Sequence, residues 1–228
     1  MNPLKNSFDV VELQNQTGSR IMIASTLLEE EIVRALKGIT ESFSPNELAY
    51  LALTSKVEAP VRDRLAFALH RSMGMEYLVA REWDRVDLAI LSPSQLPLAL
   101  LELKAMYSFD DAARYCRITA EDEAKTRLFA PQAGAVYSLL LATHVSSQVP
   151  QSLRRVVKYD GDINRAARKL GDPELVRAAL LHRMDEALKE RNVVASGNLV
   201  GGVVFELPVD VFYWLVRDPG PVPAALSL

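Results

Sequence analysis

Residues 85–104 read RVDLAILSPSQLPLALLELK, and this stretch decides the fold. Two apolar runs flank the segment 92–95 (SPSQ), whose composition is typical of a turn. Three charged side chains, Asp87, Glu102 and Lys104, interrupt the apolar pattern at the ends away from that turn. The stretch therefore predicts a buried β-hairpin with a polar end.

The register of this hairpin brings its two acids together. A turn centred between Ser94 and Gln95 pairs Asp87 with Glu102 across the two strands. Directly opposed residues have Cβ atoms about 5 Å apart, so two carboxylates there repel each other unless a cation lies between them. Lys104 lies on the same face as Glu102 because side chains alternate along a strand. The pattern predicts an acidic cation site beside an ammonium group.

Such a site suits phosphodiester hydrolysis. Carboxylates that bind one or two Mg²⁺ ions neutralise the charge that develops on phosphate and lower the pKa of a bound water. Oxygen-only ligands favour Mg²⁺ over zinc, and Mn²⁺ can substitute. Lys104 is expected either to orient the attacking water or to help deprotonate it.

The elements around the hairpin follow from their apolar periodicity. Helices are predicted after Thr26, after residues 44–47 (SPNE), from Glu58 or Pro60 to Ser72, and over 110–130 with Thr119 as a local cap. Strands are predicted at 20–23, 76–83, 85–91, 96–106 and 135–144. This order indicates a mixed α/β or α+β sheet flanked by helices.

The remainder of the chain is predicted to extend this domain. Residues 154–169 form a basic segment that reads as a helix closed by Gly171, and a second helix runs from Asp172 to about Arg191. Residues 192–202 read as a loop, and 203–217 as one or two strands interrupted by Pro208. We expect one domain over 1–228, with a core at about 56–145 and an extension at about 150–228.

Asp87, fourteen intervening residues and then Glu102-Leu103-Lys104 resemble the D-x(n)-(D/E)-x-K motif of the PD-(D/E)XK, or restriction-endonuclease-like, nucleases. The order of helix, three strands, helix and strand over about 56–145 also resembles the core of that family. Val86 stands where the family commonly has proline.

The resemblance implies a function and a set of site residues. It implies a Mg²⁺-dependent, endonuclease-type hydrolase acting on DNA, with Asp87 and Glu102 as metal ligands and Lys104 as a catalytic residue. The family's additional acid on the helix before the three strands is matched to Glu58, with Glu47 as the alternative. Asp122 and Lys125 resemble the polar residues that the second core helix presents to the site, although their spacing favours a surface ion pair.

Composition restricts where DNA can bind. A net charge of −3 and a pI near 5.7 argue against electrostatic binding of nucleic acid through the overall charge of the chain, so contacts with nucleic acid must be local. The candidate phosphate-binding surface is basic, although a solvated helix face is the alternative. Its residues are Arg154, Arg155, Lys158 and Arg165.

Composition also bears on the compartment. A single cysteine, Cys116, permits no internal disulfide and no cysteine-rich zinc site, which favours a cytoplasmic protein. The amino terminus does not resemble a signal peptide, and the apolar stretch 133–142 is too short to cross a bilayer.

Two further hypotheses stay open. The chain could keep the fold without turnover and serve as a nucleic-acid-binding or assembly module. The three charges could instead be ordinary residues at a solvated strand end. The sequence does not decide whether the protein forms a homodimer.

Overall fold

The computed structural model describes residues 26–220, which form a mixed six-stranded sheet between two layers of helices. The strands lie in the order β1-β2-β3-β4-β6-β5. The helices are α1 (26–38), α2 (Glu47–Thr54), α3 (Glu58–Met73), α4 (Ala112–Phe129), α5 (Asp160–Leu170) and α6 (Pro173–Leu188). The strands are β1 (Leu78–Trp83), β2 (Val86–Leu91), β3 (Pro97–Tyr107), β4 (Ala135–Val145), β5 (Asn192–Val204) and β6 (Leu207–Arg217). The predicted fold class, a mixed sheet flanked by helices, is confirmed.

The three-strand meander is present with the predicted register. β1, β2 and β3 pair antiparallel, and the pairs Leu88–Leu101 and Ile90–Ala99 have the spacing expected for a turn centred between Ser94 and Gln95. A bulge between Ile90 and Leu91 shifts the pairing next to that turn. The apolar runs on both sides of 92–95 therefore determine the hairpin.

β4 completes the core. It pairs parallel to β3, and all eleven of its residues are buried, as expected for a central strand that is covered on both faces. Leu101 of β3 and Leu139 of β4 pack with α1, α2 and α3, whereas Met106 and Leu140 pack with α4 and α6 on the opposite face. The two helical layers thus cover opposite faces of the sheet.

The prediction of a loop at 192–202 is wrong, because these residues belong to β5, an edge strand that pairs with β6. The glycines there permit close packing: a Cβ on Gly197 would lie 2.8 Å from the ring of Tyr213. A register shift between Val200 and Gly202 marks a bulge, where Gly202 has a φ of 103°. Since β6 pairs with β4, the region after residue 150 completes the central sheet instead of extending a finished core.

Three smaller predictions can be compared with the structure. The basic segment becomes helical only at Asp160, after a 3₁₀ turn at Gln151–Leu153. Thr119 lies inside α4 and binds the carbonyls of Tyr115 and Cys116, while the cap is Asp111. The predicted strand at 20–23 lies outside the described residues. Within 26–220, no helix has the length and apolarity needed to cross a membrane.

Candidate active site

The site forms where β2 and β3 separate. Their pairing ends at Leu88 and Leu101, whereas β3 continues beside β4 as far as Tyr107. Beyond Leu101, one side of β3 is no longer paired with β2, and we call this side the open edge of β3. Three of its N–H groups donate to carboxylates instead of to the carbonyls of a neighbouring strand. Leu103 donates to Asp87 at 2.8 Å, Ala105 to Glu58, and Tyr107 to Asp110 at 2.8 Å. Acidic side chains thus substitute for strand carbonyls along this edge.

Asp87 and Glu102 are close neighbours at this point. The pKa of Glu102 is raised to about 7, first because burial removes it from water and then because Asp87 lies beside it. The Glu102 residue is only 8% exposed, and among the described residues its neutral hydrogen-bond partner is the hydroxyl of Thr126, at 3.5 Å. The two acids are therefore close together, although the strand pairing ends at Leu88 and Leu101, one residue before them, and at neutral pH Glu102 is partly protonated.

Lys104 lies on the same face of β3 and binds a different acid. Its Nζ is 3.2 Å from Oδ2 of Asp122, and the other oxygen of Asp122 is 2.9 Å from Nζ of Lys125. Burial lowers the pKa of Lys104, but Asp122, Glu102 and Asp87 together raise it above its ordinary value. Lys104 is therefore a cation at neutral pH, which favours the orienting role over deprotonation of a water.

A cavity of about 330 Å³ opens over these residues, and we call it the Glu102 cavity. The turn between β1 and β2 forms one side of it and α4 the other. Phe129 closes one end, with its ring packed edge-on against Trp83 at 6.4 Å between centroids. The lining residues are Asp84, Arg85, Val86, Glu102, Lys104, Asp122, Lys125, Thr126 and Phe129.

The remaining predicted acids lie in different places. Glu58 begins α3 and binds the open edge of β3, next to Asp87 along the strand. Glu47, the alternative, binds Arg64 at 2.9 Å and the N–H of Ser44 at 2.8 Å, so its carboxylate is already engaged. Glu58 is thus the acid nearer to the site, although among the described residues neither it nor Asp87 lines the Glu102 cavity.

The predicted basic surface lies near the carboxyl end of β3. The ring of Tyr159 packs edge-on against Tyr107, the last residue of β3, at 5.1 Å between centroids. The N–H of Lys158 donates to the carbonyl of Leu53, which joins the segment to α2. Arg154 is 3.9 Å from Asp160, and Arg165 is 3.0 Å from Asp162, so both cations are close to acids. All four predicted residues, Arg154, Arg155, Lys158 and Arg165, are exposed.

Arg85 and Thr126 are among the cavity residues that the predicted site did not include. Thr126 follows Asp122 by one helical turn, so the helical periodicity that places Asp122 at the site also places Thr126 there. Arg85 adjoins the motif, in the two-residue turn between β1 and β2. The pair Asp84-Arg85 between two short apolar runs was the signal for that turn.

The residues suit a hard divalent cation. Asp87 and Glu102 supply only oxygen ligands, and Mg²⁺ is commonly bound through one or two carboxylates, with water and substrate phosphates as its other ligands. The raised pKa of Glu102 agrees with this, since a cation would relieve the repulsion from Asp87. Among residues 26–220 no group of three or more His, Cys, Asp or Glu side chains converges as a ligand set, so any ion here rests on this pair.

Comparisons of the chain with protein-family models, with curated proteins and with solved structures gave no match.

Proposed function

We propose that the chain is a Mg²⁺-dependent phosphodiesterase that cleaves DNA. The observation that carries the proposal is the environment of Glu102, which is buried next to a second carboxylate and opens into a cavity shared with the Lys104 ammonium. Buried acids with a strongly shifted pKa in a cleft are characteristic of functional sites. The resemblance of Asp87, Glu102 and Lys104 to the PD-(D/E)XK motif gives the reaction class.

Each residue has a defined part in this proposal. Asp87 and Glu102 would bind the ion, which when bound supplies charge neutralisation at the phosphate and an activated water. Oδ2 of Asp87 accepts the N–H of Leu103, and this contact fixes the orientation of the carboxylate. Its Oδ1 lies 3.9 Å from the guanidinium of Arg62, so an ion bound by Asp87 would share this oxygen with Arg62 or displace it. Lys104 donates to the attacking water or to a phosphate oxygen, and Asp122 limits its position. Glu58 fixes the path of β3 beside the site.

Protonation of Glu102 sets a pH dependence for this activity. Only the carboxylate form binds a cation, and the pKa of about 7 means that roughly half of the molecules carry the proton at neutral pH before the ion binds. Cleavage at limiting Mg²⁺ is therefore expected to increase from pH 6 to pH 8, and saturating Mg²⁺ should shift that increase to lower pH.

The direct test is cleavage of plasmid and linear duplex DNA by the purified protein, with Mg²⁺ or Mn²⁺ and with EDTA. The wild-type protein should cleave only with the metal, and Lys104→Ala should abolish cleavage while its circular dichroism spectrum stays unchanged. Lys189→Ala, which removes an exposed lysine after α6, is the matched control and should retain full activity. Equal cleavage by Lys104→Ala and the wild-type protein would remove Lys104 from the mechanism.

A second candidate function is a nucleic-acid-binding or assembly module without turnover. It is favoured by the ion pairs of Asp122, because this acid pairs with Lys104 as well as with Lys125 and so engages the ammonium that catalysis needs. This module would bind DNA without cleaving it, and its affinity for DNA would be the same in Mn²⁺ and in EDTA.

The partner, the compartment and the assembly state complete the proposal. DNA as the substrate comes from the family resemblance together with the exposed basic surface of Arg154, Arg155, Lys158 and Arg165. A cytoplasmic location is supported by the single cysteine of the sequence, Cys116, which permits no internal disulfide. A homodimer can be tested by light scattering of the purified protein.

A further inference from the structure

The turn between β1 and β2 places a cation at the mouth of the Glu102 cavity. Trp83 pairs with Val86, so Asp84 and Arg85 are the two central residues of a tight turn. Both have positive φ angles, 46° and 78°, the combination of a type I′ turn. The Val86 residue after the turn is buried, which fixes the turn against the sheet. Arg85 is exposed to solvent and lines the cavity.

Arg85 differs from the other cations nearby in its lack of an acidic partner. In the cavity, Lys104 and Lys125 both bind Asp122. On the neighbouring elements, Arg62 binds Glu82 at 2.8 Å and Arg81 binds Asp63 at 3.1 Å. Over the described part of the chain, Arg85 forms no ion pair. Its guanidinium is thus the cation at this cavity that is available to an external anion.

We propose that Arg85 binds a phosphate of the nucleic-acid backbone next to the bond that is cleaved. The inference rests on the proposed function and adds a phosphate-binding residue to it. A planar guanidinium can donate two parallel hydrogen bonds to a phosphate, and an exposed, unpaired one gives up no protein contact to do so. Phosphate bound by Arg85 would lie over the same cavity as Glu102 and Lys104.

The backbone of the turn makes a sharp test possible. Glycine is the preferred residue at the second central position of a type I′ turn, so Arg85→Gly removes the guanidinium without straining the turn. The hairpin between β5 and β6 supplies a matched control, since Phe205 and Glu206 also have positive φ angles and Glu206→Gly makes the same backbone change. Arg177→Ala, which removes a partly exposed arginine that pairs with Glu174 on α6, controls for the loss of one positive charge.

The experiment measures binding of a fluorescent DNA duplex by anisotropy, with Ca²⁺ in place of Mg²⁺, at several salt concentrations. Arg85→Gly should weaken binding about tenfold or more, as expected for loss of a charged hydrogen bond. The slope of log affinity against log salt should fall by about 0.9, the value for one phosphate contact. The melting temperatures of Arg85→Gly and Glu206→Gly should equal or exceed that of the wild-type protein. Both controls should bind DNA within about twofold of the wild-type affinity.

If Arg85→Gly binds DNA with the affinity and salt slope of the wild-type protein, the inference is overturned. The nuclease proposal would still stand in that case, provided that the wild-type protein cleaves DNA. A wild-type protein that binds no DNA would overturn both. If Arg85→Gly lowers the melting temperature, Arg85→Asn gives the same reading, because asparagine also tolerates a positive φ. The Arg85→Asn protein should likewise bind DNA about tenfold more weakly, and its slope of log affinity against log salt should fall by about 0.9.

Discussion

Two glutamates are buried between the sheet and α4, Glu102 on β3 and Glu123 on α4, and their charges are compensated differently. Glu123 is 3% exposed, and it accepts a hydrogen bond from Ser138 at 2.6 Å and an ion pair from Arg191. Burial raises the pKa of Glu123 above its ordinary value, although Ser138 and Arg191 oppose part of that increase. Glu102 is 8% exposed, yet its neighbours include the acids Asp87 and Asp122, and the Lys104 ammonium that opposes them is bound to Asp122.

The contrast separates a structural acid from a candidate functional one. A buried carboxylate with its own arginine has its charge compensated inside the fold. Burial and the neighbouring acids make the charged form of Glu102 unfavourable, and the fold does not fully offset this effect. The side chain also lines an open cavity. Under the proposed function, a bound divalent cation would compensate the charge of Glu102 in that position.

The largest expected difference between the two acids is in activity. Glu102→Gln should reduce the rate of DNA cleavage by at least about 10³-fold, because it removes a metal ligand, a loss of about 4 kcal/mol in transition-state stabilisation. Glu123→Gln should leave cleavage per folded molecule within about threefold of the wild-type rate, well under 1 kcal/mol. The measurement is initial rates at saturating Mg²⁺, normalised to the folded fraction. Equal losses in the two variants would remove the distinction between the two acids.

The next effect is on stability, and here the larger loss is expected at the Glu123 ion pair and the smaller one at the Lys104 ion pair. Arg191→Ala leaves Glu123 buried and without its cation, so the free energy of unfolding should fall by about 3 kcal/mol. Lys104→Ala, in which the partner Asp122 keeps Lys125, should lower it by less than about 1 kcal/mol. Urea denaturation monitored by circular dichroism measures both variants. A larger loss in Lys104→Ala would identify the Lys104 ion pair as structural.

A smaller effect appears in the pH dependence of stability without metal. Because the folded pKa of Glu102, about 7, lies above its ordinary value of 4.5, the native state binds more protons than the unfolded state between those two values. The free energy of unfolding should therefore decrease as pH rises from about 4.5 to 7, by a contribution from Glu102 on the order of 2 kcal/mol.

This contribution is isolated by subtraction. Glu102→Gln should be more stable than the wild-type protein above pH 7 in EDTA, and the difference should shrink as pH falls towards 4.5. Asp87→Asn should narrow the pH range of the effect, because it removes the neighbouring charge that raises the pKa of Glu102. A difference between wild-type protein and Glu102→Gln that stays constant with pH would show that Glu102 titrates normally.

The sequence predicted the hairpin well because its apolar runs are long and its turn residues are clear. The same local pattern predicted β4, whose buried residues form a continuous apolar run. β5 was missed for a physical reason: it is an edge strand, and its glycines resemble a loop until Tyr213 and Val209 of β6 are in place beside them. Local composition cannot report a contact that the partner strand creates.

The candidate site was only partly visible for a similar reason. Asp87, Glu102 and Lys104 share one hairpin, so alternation along the strands was enough to bring them together. The cation of Glu123 comes from Arg191, 68 residues further along the chain, and no local pattern connects the two. The availability of Arg85 was equally invisible, since it depends on which acids reach the neighbouring arginines Arg62 and Arg81.

The most direct test of the central claim is calorimetric titration of the metal-free protein with Mn²⁺ at pH 7.5. The account predicts saturable binding to the wild-type protein, loss of that binding in both Asp87→Asn and Glu102→Gln, and unchanged binding in Glu123→Gln. Binding of Mn²⁺ that survives in Asp87→Asn and Glu102→Gln, or no binding to the wild-type protein, would contradict the claim that these two acids share a divalent ion.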